Sequence, residues 1–169
     1  MTTTRPVPPM NADERATLEG WLDFYRATLA QKCDGLDDEH LRFAAAAPSS
    51  LTLLGLIQHM AEVERNWFCR VLLGEQIGPI YDAGDRAGGH DGGFEVGDES
   101  SYRRAEEIWQ DEITRARANC AARELSDLSA FRGTDVTLRW IYAHMIGEYA
   151  RHCGHADVIR ERIDGTTGV

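Results

Sequence analysis

Apolar residues recur at intervals of three and four along four long stretches of this chain. Nowhere do β-branched residues alternate in a sustained period of two. That pattern favours helices over sheets. The first stretch, "NADERATLEGWLDFYRATLAQKC", sets Leu18, Trp21, Leu22, Tyr25 and Leu29 on one face. It opens with Asn11 followed three residues later by Glu14, the spacing of a capping box. The second, "SSLTLLGLIQHMAEVERNWFCRVLLG", runs from a serine cap to Gly74, with Leu56, Met60, Val63 and Trp67 as its apolar stripe. The third, "SSYRRAEEIWQDEITRARANCAARE", aligns Tyr102, Ala105, Trp109, Ile113, Ala116 and Cys120. The fourth, "DVTLRWIYAHMIGEYARHCGHADVIRERIDG", is the longest and stops at Gly165. These segments predict an all-α fold, a four-helix bundle.

The connections refine that expectation. Residues 74–100 hold eight glycines and join the second and third helices, so they are expected to form a long Gly-rich crossover loop. Residues 1–10, with three prolines, read as a flexible tail, and 11–169 as a single domain. A chain of 169 residues with 43% hydrophobic residues has room for one real core.

Charge narrows the partners. A net charge of −10 disfavours nucleic acid and anionic membrane surfaces, both of which call for clustered Lys and Arg. No apolar run approaches the roughly 20 residues of a membrane span. "MTTTRPVPP" lacks the apolar core of a signal peptide, so a cytoplasmic location is expected. Cys33, Cys69, Cys120 and Cys153 are far apart and form no CxxC pair, the spacing of free thiols.

The fourth helix carries the chemistry. "HMIGEYARHCGH", residues 144–155, places three histidines and a glutamate in twelve residues. At about 100° per residue, Ile141, Met145, Ile159 and Ile163 fall within about 40° of one another. Glu148 and His152 fall on that same stripe, whereas His144 and His155 lie toward its edge. A buried carboxylate without a partner is costly. A spacing of four residues sets Glu148 and His152 one turn apart, able to grip one cation. The competing reading is an internal hydrogen-bonded Glu–His pair.

A third ligand is expected from another helix, as in other metal sites built inside bundles. His59, on the flank of the second helix's stripe, is the candidate. Glu62 and Arg65 turn to the other side of that helix, and His40 and His90 fall in expected loops. The constellation is therefore His59, Glu148 and His152. Two imidazoles and one carboxylate suit zinc first, and also nickel, iron or manganese.

"TLLGLIQHMAEVERNWF", followed much later by "TLRWIYAHMIGEYARHCGHADVIRERIDG", resembles the DinB-like superfamily, in particular its actinobacterial members. The resemblance runs from about residue 11 to 165. It implies a four-helix bundle holding a divalent metal through one side chain of the second helix and two, four residues apart, of the last. His59, Glu148 and His152 fall on those positions. Many members carry histidine where this chain has Glu148; the mycothiol-dependent maleylpyruvate isomerases carry the glutamate.

The resemblance further implies a metal-dependent enzyme using a low-molecular-weight thiol such as mycothiol, as an S-transferase or an isomerase acting on a small electrophile. His144 and His155 would then serve beside the metal, orienting a ligand or moving a proton. The Gly-rich loop would close over the open end. Two other readings stand beside it. One is a metallohydrolase with metal-activated water; the other is a non-enzymatic metal-binding bundle of a stress-response or interaction type. The long apolar faces of the first and third helices, and the frequent dimers of DinB-like proteins, point to a homodimer.

Overall fold

The computed structural model describes residues 4–81 and 92–168. Residues 82–91, with His90 and three glycines of the expected loop, lie outside the described residues. The described chain is mostly helical: α1 (Glu14–Cys33), α2 (Asp38–Arg42), α3 (Leu53–Arg65), α4 (Tyr102–Ala121) and α5 (Leu138–Asp164). A π-helical turn, Asn66–Val71, continues α3. Strands β1 (Leu128–Phe131) and β2 (Thr134–Thr137) form an antiparallel hairpin that the sequence pattern did not suggest. No helix among the described residues is long and apolar enough to cross a membrane.

The caps show why the helices start where they do. Asp13, not Asn11, caps α1, accepting from the Ala16 amide at 2.8 Å. Thr52, not a serine, satisfies the start of α3 through the Gly55 amide at 2.9 Å. Ser101 caps α4. The fourth predicted helix loses its first residues to β2, and α5 begins only at Leu138, where Thr137 Oγ1 accepts from the Trp140 amide at 3.1 Å. Gly74 and Gly165 end their helices at positive φ, as expected of left-handed C-terminal glycines.

The chain divides into two compact units. One comprises residues 1–56 and 142–169. Within it α1 and α5 run side by side in the same direction. Tyr142 Oη donates to Glu19 Oε1 at 3.0 Å, Cys153 Sγ to the Tyr25 carbonyl at 3.5 Å, and Arg160 Nη1 to the Lys32 carbonyl at 3.0 Å. Partners thus ascend together along both helices. Leu22, Leu29, Met145, Tyr149, Ala156 and Ile159 are buried there, while Trp21, expected on the stripe, is 41% exposed. The N-terminal segment lies on α1: a Cβ on Gly20 would stand 2.4 Å from Pro9 Cδ, so no larger residue fits without displacing the segment.

The other unit comprises residues 57–141. Here α3 and α4 also run in the same direction. Arg65 pairs with Glu112, the Asn119 side chain donates to the Phe68 carbonyl at 2.9 Å, and Arg123 Nη2 to the Leu72 carbonyl at 2.9 Å. Two neighbouring helices that point the same way need a connection that returns the length of the pair, which accounts for the long stretch between them. The hairpin joins this unit through Ser129 Oγ, which donates to the Leu72 carbonyl at 3.0 Å. Trp109, Ile113, Ala116 and Cys120 are buried along α4, as its periodicity predicts.

Candidate metal centre

On α5 the four polar residues of the 144–155 stretch are neighbours, but not equivalent ones. His152 is buried. Glu148 is not on the centre of the stripe: its side chain keeps 16% exposure. Tyr149, Cys153 and Ala156 are buried too, which moves the centre of the buried face past Met145 and leaves Glu148 at its edge. Its two oxygens divide their partners. Oε1 takes Arg151 Nη2 at 2.5 Å and lies 3.5 Å from His144 Nε2. Oε2 faces His152 Nε2 at 3.7 Å.

The flanking histidines complete this set. His155 Nδ1 lies 3.3 Å from His152 Nδ1, so one of the two nitrogens donates and the other accepts. When His152 donates there, its lone pair is on Nε2, the side facing Glu148. His144 is half-buried, and burial holds it below the usual range of a histidine, with Glu148 pulling partly the other way.

On α3, His59 is 3% exposed. Its Nδ1 lies 3.0 Å from the Gly92 carbonyl, and the Phe94 ring stacks on its face with centroids 3.9 Å apart. A carbonyl oxygen can only accept, so this hydrogen bond requires a proton on Nδ1; in a neutral imidazole the lone pair is then on Nε2. Glu62, one turn along and expected on the side away from the apolar stripe, is wholly buried. It accepts from Arg70 Nη1 at 2.9 Å and from the Ile80 and Tyr81 amides at 2.7 and 3.3 Å. His40 belongs to the short α2, not to a loop, and binds Asp37.

His59, Glu148 and His152 each offer one ligand atom, and these atoms all lie within 4.8 Å of one another, a group able to hold a metal ion. The donors are two borderline nitrogens and one hard oxygen, which suits a first-row divalent ion such as zinc. Three donors leave coordination positions for another molecule. All four cysteines are buried and form no disulfide, and none of them belongs to this group.

The sequence reasoning missed Gly92, Phe94 and Arg151. Arg151 could have been found from its i, i+3 spacing to Glu148. No local signal ties Gly92 and Phe94 to a histidine more than 30 positions earlier. A comparison with protein-family models found one described as mycothiol-S-transferase, matching residues 17–165, and that family lies within the DinB-like superfamily. Comparisons with curated proteins and with solved structures found no match.

Proposed function

Because the chain belongs to the mycothiol-S-transferase family, we propose that it joins mycothiol, or a closely similar small thiol, to a small electrophile, with His59, Glu148 and His152 holding a divalent metal ion. The match over residues 17–165 carries the reading; the His₂Glu group supports it from the chain's own chemistry. Zinc is the ion we favour. When bound, it would lower the proton affinity of a coordinated thiol and so supply the nucleophile.

The residues around the group have separable tasks in this reading. His59 and His152 present Nε2, and Glu148 presents Oε2, supplying one negative charge toward the cation. Arg151 holds Oε1, which turns the carboxylate edge toward His152. His155 Nδ1 accepts from His152 Nδ1 and fixes that ring. His144, whose Nε2 lies beside Glu148 Oε1, takes the proton that the thiol gives up. In the transfer the thiolate sulfur forms a bond to the electrophilic carbon. The leaving group departs with its electron pair and takes a proton, which balances the one lost by the thiol. An isomerase variant would instead add the thiolate to an unsaturated electrophile and later expel it from the adduct, so that the thiol is regenerated.

The test is a titration of cobalt-substituted protein with mycothiol. Thiolate ligation gives an intense sulfur-to-cobalt charge-transfer band in the near ultraviolet, and turnover on an electrophile panel should require the thiol. No band, together with electrophile turnover that does not depend on thiol, would overturn the transferase reading and favour metal-activated water.

A further inference from the structure

Three observations meet on His59, and all belong to the segment Gly92–Phe94. The Gly92 carbonyl faces Nδ1 at 3.0 Å. The Phe94 ring covers the imidazole face at 3.9 Å with an interplanar angle of 19°. Gly93, between them, has φ +94°, and a Cβ there would stand 2.6 Å from the His59 amide nitrogen and 2.7 Å from the Gln58 carbonyl carbon. These obstacles are backbone atoms and cannot swing away, so only glycine lets the segment approach this closely. The Gln58 amide, oriented to donate, reaches the Gly93 and Glu95 carbonyls at 2.9 and 3.1 Å and ties the segment to α3 from the neighbouring residue.

We infer that Gly92–Phe94 is a positioning element that fixes His59 as the Nδ1–H tautomer and presents Nε2 as the metal-binding atom. An imidazole has two wrong states here. In one the proton sits on Nε2 and blocks the ligand position. In the other the ring is turned by half a rotation, exchanging Nδ1 with a carbon. The first sets the Gly92 oxygen against a nitrogen lone pair, buried and repulsive. The second loses the hydrogen bond and turns a C–H toward the carbonyl. The Phe94 face hinders the rotation between them. Metal-bound histidines gain basicity and orientation from such an acceptor on the second nitrogen. The segment is distant in sequence from both ends of the ligand set, yet it decides which atom of His59 is offered.

The inference rests on His59 being a ligand, so the experiment separates the two. Metal-free protein with ¹⁵N-labelled histidine is recorded at about pH 8, where an ordinary imidazole is neutral. Long-range ¹H–¹⁵N spectra distinguish the tautomers. Zinc affinity is measured in parallel by chelator competition. Wild type should show His59 as Nδ1–H. Gly93→Ala should show a tautomer mixture and a zinc affinity lower by about 10- to 100-fold, the usual effect of losing such support. Phe94→Ala should weaken zinc in the same direction and Phe94→Tyr should restore it. An Nε2–H tautomer in wild type overturns the inference, as does unchanged zinc affinity in both Gly93→Ala and Phe94→Ala. If Gly93→Ala does not fold, the wild-type tautomer and the Phe94 pair decide. Unchanged zinc affinity in His59→Ala overturns the ligand reading instead, whatever the tautomer.

Discussion

Glu148 is where sequence and structure differ by a fraction of a helical turn. The wheel placed it mid-stripe because it counted only the aliphatic residues; Tyr149, Cys153 and Ala156 also turn inward and shift the centre. The i, i+4 pairing with His152 was legible because it depends on spacing alone, and the contact is present at 3.7 Å. Replacing Glu148 by Gln keeps size and hydrogen-bonding capacity but removes the charge. Metal per chain, by elemental analysis, should drop severalfold while far-ultraviolet dichroism is unchanged. His144→Ala and His155→Ala should keep the metal and lose about 10- to 100-fold in turnover; loss of metal in these two alone would mean that the flanking histidines are the ligands. Cys153 offers a second test at this scale. Burial, and secondarily the Asp157 charge, push its thiol up from 9.0 to about 12. A group raised in the folded state stabilises it fully below the unfolded value, and that stability is lost as pH rises through the folded one. Native protein should therefore resist alkylation near pH 8. Its urea midpoint should fall as pH rises from 9.0 toward 12, with a shallower slope in Cys153→Ala.

Among the elements, the long helices were readable and the hairpin was not. Each strand has four residues, too short for a two-residue period to stand out, and only Ser129 and Val136 are buried on it. A signal did exist: Arg132 and Gly133 both have positive φ and form the two-residue turn, and glycine at that second position between two short runs is a hairpin cue. Helix α3 shows the converse failure. Glu62 was expected on the side of the helix away from the apolar stripe, yet it is fully buried, as is Glu64. Glu62 is tolerated inside because Arg70 and two loop amides satisfy it, and those partners lie 8 to 19 positions away, beyond any local pattern. Glu62→Ala should therefore cost about 3 kcal/mol in urea unfolding, by leaving Arg70 partly buried and two amides unanswered. A loss below about 0.5 kcal/mol, the range of an ordinary surface change, would show the pin to be dispensable.

For the molecule as a whole, binding of the proposed ion would be linked to folding. An ion that binds the native chain and not the unfolded one stabilises it by about 2.7 kcal/mol at a concentration 100 times its dissociation constant. At this chain length that raises the melting temperature by about 5–10 °C. Calorimetry with and without zinc should show the rise in wild type and not in His59→Ala or His152→Ala; an equal rise in all three would mean that zinc binds elsewhere. At this scale the helical class and the candidate ligands were visible in the sequence. The side-by-side pairing of same-direction helices was not, because periodicity says which face of a helix is buried and nothing about which helix covers it.

The π-helical turn at Asn66–Val71 has a hereditary consequence. Such a turn holds one residue more than an α-helix would use over the same rise, which makes it the scar that a single-residue insertion leaves in a helix. Removing one residue there can relax the turn to α-helix while the faces on both sides stay in phase. The same deletion within α4 would rotate everything beyond it by about 100°. Variation in chain length among relatives should therefore be tolerated at this turn and selected against in the body of the helices.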